Sequence, residues 1–183
     1  MVPSDLNDIW GWVDSAGNEY AIVGTNDGTS IFDLSDPANP YEALFVPGMN
    51  SIWRDVKTFG NYAYVTTEAY NGLLIIDLSN LPDSTNTNTY IYSGPSNNPW
   101  LRAHNIYIDD RGYAYIFGAN RGLGGAIILD LNQDPTQPVE IADINNWQVH
   151  DGMVKGDTLF LAHAGNSLFS IWDVSNPSTP VLL

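Results

Sequence analysis

Two histidines stand beside an amide or a carboxylate at matching places in the chain, as His104-Asn105 and His150-Asp151. Asn7-Asp8 and Arg54-Asp55 occupy the corresponding places upstream. Each pair sits just before or at the start of a short apolar segment. Imidazole, carboxylate and amide groups converging on one point can hold Zn²⁺ or Ca²⁺, or bind a polar small molecule. The same side chains can instead hydrogen-bond buried backbone between neighbouring elements. Both readings stay open, because the two histidines lack the spacing of a known metal motif.

Other chemically suggestive residues read as structural. Asp33, Asp77, Asp130 and Asp173 recur at one position of a repeated unit, directly before a turn. An aspartate there accepts N–H bonds from the residues that follow it. Asp109-Asp110-Arg111-Gly112 resembles the start of a calcium loop but lacks its later acidic ligands, so it reads as a turn. Gly122-Leu123-Gly124-Gly125 precedes neither Lys-Ser/Thr nor a helix, so it is no phosphate loop. His163, where the other units carry Thr25, Thr67 and Gly118, reads as a surface histidine. Trp53, Trp100 and Trp147 lie near the junctions between units, where they can stack on sugar rings or fill a core.

The elements that position these residues are legible from the repeat. Ser30-Ile31-Phe32-Asp33-Leu34-Ser35 returns as Leu74-Ile75-Ile76-Asp77-Leu78-Ser79, Ile127-Ile128-Leu129-Asp130-Leu131-Asn132 and Ser170-Ile171-Trp172-Asp173-Val174-Ser175. The aspartates recur after 44, 53 and 43 residues. A period in the forties made of short strands is the signature of radial β repetition. The expected fold is all-β, a β-propeller of four blade-like repeats, either closed as a small propeller or part of a larger ring. One domain spans 1–183, with blades near 5–48, 51–94, 101–145 and 148–183. Within each unit, segments such as Tyr62-Ala63-Tyr64-Val65 alternate with period two, and Gly- or Asn-bearing turns separate them. Pro-rich connectors such as Asp36-Pro37-Ala38-Asn39-Pro40 end the third segment. No stretch carries a sustained helical period. No spare strand at either end offers to complete a blade, so closure by a partner copy or by further residues is an expectation, with pairing through exposed blade edges.

The composition narrows the function. The chain has 183 residues and a formal net charge of −15, from 21 acidic and 6 basic residues. Such a surface repels nucleic-acid phosphates and anionic lipid, and it attracts cations. Cysteine is absent, which removes disulfides and thiol chemistry. No apolar run is long enough to span a membrane as a helix. Met1-Val2-Pro3-Ser4-Asp5 carries neither a basic nor an apolar leader region. Few lysines among many Asn, Thr, Ser and Gly suit an extracellular surface.

The repeat resembles the LVIVD family of bacterial surface β-propellers, and among these it is similar to the choice-of-anchor B group. The resemblance covers essentially the whole chain. It is carried by Leu6-Asn7-Asp8-Ile9-Trp10-Gly11-Trp12, Asp33-Leu34-Ser35-Asp36-Pro37-Ala38-Asn39-Pro40, Trp53-Arg54-Asp55-Val56-Lys57, Ala103-His104-Asn105-Ile106 and His150-Asp151-Gly152. It implies a propeller displayed outside a bacterial cell, with no catalytic residues to carry over. Members are typically longer, and the chain lacks the sorting tail or lipid-anchor cysteine of the group. The resulting expectation is a non-enzymatic extracellular or cell-surface module that binds a protein or glycan, or assembles with itself. The alternative is a glycan-acting hydrolase or lyase with a metal or acid/base site at the channel mouth. Ligand or metal candidates are His104, His150, Asp151, Asp8, Asp55, Arg54 and Asn105, with Ca²⁺ or Zn²⁺ as the possible ion.

Overall fold

The computed structural model describes residues 5–183. The reading of Met1–Ser4 as carrying no leader lies outside the described residues. The first sheet comprises β1 (Leu6–Val13), β2 (Glu19–Thr25), β3 (Gly28–Asp33) and β4 (Tyr41–Pro47). The second comprises β5 (Arg54–Phe59), β6 (Tyr62–Thr67), β7 (Leu73–Asp77) and β8 (Thr89–Tyr92). The third comprises β9 (Asn105–Ile108), β10 (Tyr113–Phe117), β11 (Ala126–Asp130) and β12 (Val139–Ile144). The fourth comprises β13 (Asp151–Lys155), β14 (Thr158–His163), β15 (Leu168–Asp173) and β16 (Val181–Leu182). Each sheet is an antiparallel meander with its strands in chain order. Helical geometry among the described residues is limited to 3-10 turns at Ser84–Asn86 and Ala164–Asn166. The fold is an all-β propeller built from four blades.

Local chemistry explains each blade. The hairpin from the first strand to the second turns through Gly17, Gly60, Gly112 or Gly156, each with a positive φ that a side chain would strain. The second strand carries the small–large alternation. Ala63 and Val65 face the first blade, while Tyr64 faces the third. Ala114 and Ile116 face the second blade, while Tyr115 and Phe117 face the fourth. Large side chains of one blade thus seat on small or branched ones of the next. Burying each such side chain stabilises by about 1.5–3 kcal/mol. Polar links cross the same joints. Trp12 Nε1 donates to the Gly60 carbonyl at 3.0 Å, Tyr64 Oη to the Pro135 carbonyl at 3.1 Å, and Tyr107 Oη to the Val154 carbonyl at 3.1 Å.

The first strands lie innermost, β1 against β5, β5 against β9 and β9 against β13. Their N-terminal ends share one mouth of the axis. Three hydrophobic cores fill the joints between successive blades. Among the described residues, no such core joins the fourth blade to the first. At the far end, β3, β7, β11 and β15 each finish on the repeated aspartate. Asp33, Asp77, Asp130 and Asp173 accept the N–H of Ser35, Ser79, Asn132 and Ser175 at 2.7, 3.0, 2.9 and 2.8 Å.

Candidate functional site at the axial mouth

A cavity of about 640 Å³ at the mouth is lined by Asp8, Trp53, Arg54, Asp55, His104, Asn105 and His150, among others. A second cavity of about 520 Å³ adjoins it and shares His104 and His150. The imidazole pair therefore forms the wall between them.

The pair is held by a directed chain of hydrogen bonds. His104 Nδ1 lies 2.8 Å from Glu68 Oε1, and His104 Nε2 lies 3.1 Å from His150 Nε2. The carboxylate accepts, so Nδ1 of His104 carries the proton. With His104 neutral, its Nε2 accepts from the Nε2–H of His150. Among the described residues, no group of three His, Cys, Asp or Glu side chains is placed to hold a metal ion. Trp53 flanks this pair, its ring centroid 5.5 Å from that of His104, and it remains half exposed to the cavity.

The carboxylate pair sits across the joint between the first two blades. The β1 register shifts between Leu6 and Ile9, an irregularity that re-aims Asn7 and Asp8 toward the mouth. Asp8 Oδ2 accepts the Val56 N–H at 3.1 Å. Lys57 Nζ lies 2.9 Å from Asp55 Oδ1 and 3.4 Å from Asp8 Oδ2. Burial, followed by the hydrogen bond to Asp8, pushes the Asp55 carboxyl up to about 6 against the pull of Lys57. Burial also opposes ionisation of Asp8, but hydrogen bonds from Asp55 and Val56 and the charge of Lys57 outweigh it. Asp8 is thereby held below the usual carboxylate range. Asp55 therefore keeps its proton to a higher pH than its neighbour, which ionises first.

The remaining candidates divide. Arg54 is a buried clamp whose Nε donates to the Thr25 carbonyl at 2.7 Å and whose Nη2 donates to the Met49 carbonyl. Burial lowers its pKa, against the favourable field of Asp27. Asn105 Oδ1 accepts the adjacent Ile106 N–H at 2.6 Å. Asp151 leaves the group. Strand alternation turns it to the outer face of the fourth blade, where it lines a separate depression with Met153, Phe160 and Phe169. Glu68, Lys57 and Gln148 join the two cavities and their surroundings without having been singled out by sequence. Glu68 follows β6, one residue past the position shared by Thr25, Thr67, Gly118 and His163, so its rim position was the available signal.

One further expectation changes in the structure, and two open readings are decided. His163 is not a surface residue but is 1% exposed. It shares the inward face of β14 with Leu161, with Nδ1 donating to the Gln148 carbonyl and Nε2 2.8 Å from Ser170 Oγ. Trp100 is fully buried in the joint between the second and third blades, and Trp147 packs on His163. That leaves Trp53 as the tryptophan of the three that faces the cavity. The Asp109 loop is a closed turn in which Asp109 accepts the Arg111 and Tyr113 N–H groups and pairs with the Arg111 guanidinium.

The repeated aspartate units and this blade geometry agree with the LVIVD repeat, which matches residues 15–46, 52–88 and 148–183. This chain belongs to the LVIVD repeat family. The third blade lies outside the matched segments, yet it has the strand order and register of the others. No curated protein matches the chain. Among solved structures it is similar to an alpha-L-arabinofuranosidase from Clostridium thermocellum, at 13% identity and TM-score 0.50, covering 96% of this chain and 70% of the enzyme. It also matches an endo-arabinanase from Bacillus licheniformis, at 14% identity and TM-score 0.37, with the same coverages. At these identities the likeness concerns the fold.

Proposed function

We propose that this LVIVD-repeat propeller is a non-enzymatic binding module, displayed extracellularly in the manner of the choice-of-anchor B group, whose mouth cavity takes a neutral saccharide. The observation that carries this reading is the half-exposed Trp53 ring beside imidazole, carboxylate and amide groups in one cavity of about 640 Å³. A sugar offers an apolar ring face for stacking and a rim of hydroxyls that donate and accept. The net charge of −15 disfavours anionic polymers. The test is calorimetric titration with neutral oligosaccharides, starting with arabinofuranosyl oligomers because of the arabinofuranosidase relative. Trp53→Ala is expected to weaken binding by about tenfold, the value of one aromatic contact. Absence of binding across neutral oligosaccharides overturns the reading. Repeating the titration with Zn²⁺ or Ca²⁺, and then with EDTA, tests whether the imidazoles or carboxylates recruit a cation.

A second reading, acid/base hydrolysis of the bound glycan, is favoured by one observation. Asp55 is raised to about 6 beside an ionised Asp8, which is the division of labour a general acid and its partner need. Release of reducing sugar that is abolished by Asp55→Asn, while binding persists, would favour hydrolysis over simple binding.

A further inference from the structure

Among the described residues, the first and fourth blades each leave one face uncovered, and the two faces are not alike. Strand register makes the comparison direct, because Tyr20, Tyr62, Tyr113 and Thr158 each pair with the repeated aspartate of the following strand. Ala21 and Val23 therefore correspond to Ala63 and Val65, and to Ala114 and Ile116. In the second and third blades those positions receive the preceding blade. Phe160 corresponds to Tyr64 and Tyr115, and Ile171 to Ile75 and Ile128, the positions that seat on the following blade. The first blade thus exposes the receiving half of a joint, flanked by Ile9 at 63% and Val13 at 58% exposure. The fourth exposes the inserting half, with Phe169 at 71% beside Met153, Phe160 and Val181.

Both halves of the joint that fills three times within the chain are present, but at opposite ends. We propose that the occupant of each is a second copy of this chain. The fourth blade of one copy seats on the first blade of the other, and the reciprocal contact closes a two-copy ring. The contact is face to face and continues the existing inter-blade packing, so it uses no unpaired strand edge. The two joints are equivalent by a twofold axis, which makes two copies the smallest closed assembly. This inference is independent of what the mouth cavity binds. It also carries an electrostatic signature. Each copy has a charge of −15, so association strengthens from low to physiological salt as mutual repulsion is screened.

Sedimentation equilibrium of the chain at micromolar concentration tests the proposal. The expected mass is twice 20.1 kDa. Phe169→Asn on the inserting face and Ile9→Asn on the receiving face are each expected to weaken the dimer at least about tenfold, the loss of one buried apolar side chain per joint. Both residues are exposed within the single chain, so each variant keeps its circular dichroism. Val181→Asn supplies a second variant of the inserting face. Mixing the Phe169→Asn and Ile9→Asn proteins puts both losses in one joint and leaves the other undamaged, so the mixed dimer is tighter than that of the weaker variant alone. A monomer at every concentration, a series of growing masses, or a dimer indifferent to these substitutions overturns the proposal.

Discussion

The two ends of the axis use the same residue type in opposite ways. At the far end, Asp33, Asp77, Asp130 and Asp173 repeat in every blade and each closes the same two-residue turn. At the mouth the position repeats but the residue does not: the first three blades contribute Asp8, Asp55 and Asn105, while the fourth contributes His150 from the place before it. Identical residues at equivalent positions answer a need that every blade shares, which is to satisfy backbone N–H groups as the chain leaves a strand. Different residues at equivalent positions answer to a single shared point on the axis. In a repeat protein, divergence at a converging position is therefore the better pointer to a ligand.

That contrast can be broken or sharpened experimentally, and the largest expected effect lies at the mouth itself. Arg54 occupies a mouth position yet donates to carbonyls of its own chain. Arg54→Ala should cost about 3 kcal/mol in urea unfolding, because the buried Thr25 carbonyl and the half-buried Met49 carbonyl lose a cationic donor. A loss of saccharide binding without that loss of stability would move Arg54 from clamp to ligand contact.

The carboxylates of the two ends should show opposite pH dependence. Asp55 has its pKa raised, so the native state holds a proton that the unfolded chain gives up between about pH 4 and 6. Its contribution to stability therefore falls as pH rises through that window. Asp55→Asn should remove the slope and stabilise the protein by about 1 kcal/mol at pH 7, as read from unfolding curves across the window. A slope that is unchanged would mean that Asp8 and Asp55 do not share a proton.

The turn aspartates run the other way. The Ser35 hydroxyl and N–H, with Tyr41, hold Asp33 below the usual carboxylate range, and the Ser175 N–H does so for Asp173. The stability that these residues contribute is present above the unfolded value near 4 and is lost as pH falls through their lower native values. Asp173→Ala should lower the melting temperature by a few degrees at pH 7 and reduce the loss in acid. The smallest stability effect is expected for Trp53→Ala, within about 0.5 kcal/mol in the same unfolding assay, because half of the ring is already in water. Its consequence should appear in ligand titration alone.

Much of the fold was legible because it is local and repeated. Tyr-Ala-Tyr alternation, glycine turns and the Asp-Leu-Ser element state strand, turn and exit from within a few residues. The mouth was legible as a position, since each polar pair stands at the entry to a first strand. Its membership was less so. His163 and Asp151 show why, for both lie near the mouth and each turns to the face that strand alternation imposes. His163 goes inward against Ser170, and Asp151 goes outward to Phe169. Glu68 carries no motif at all, and Lys57 only closes the Trp53–Lys57 stretch of the resemblance. They matter because they meet His104 and Asp8, residues 36 and 49 positions away in sequence.

The sequence by itself determined the blades, because a strand's alternation and a turn's backbone demands are set by neighbours a few residues apart. Only the tertiary structure decided which polar groups touch, that Asp55 shares a hydrogen bond with Asp8, and that, among the described residues, three joints are filled while no core joins the fourth blade to the first. Those outcomes depend on how one blade is rotated against the next. That rotation is set by side chains from different units packing together, over separations that no local pattern encodes.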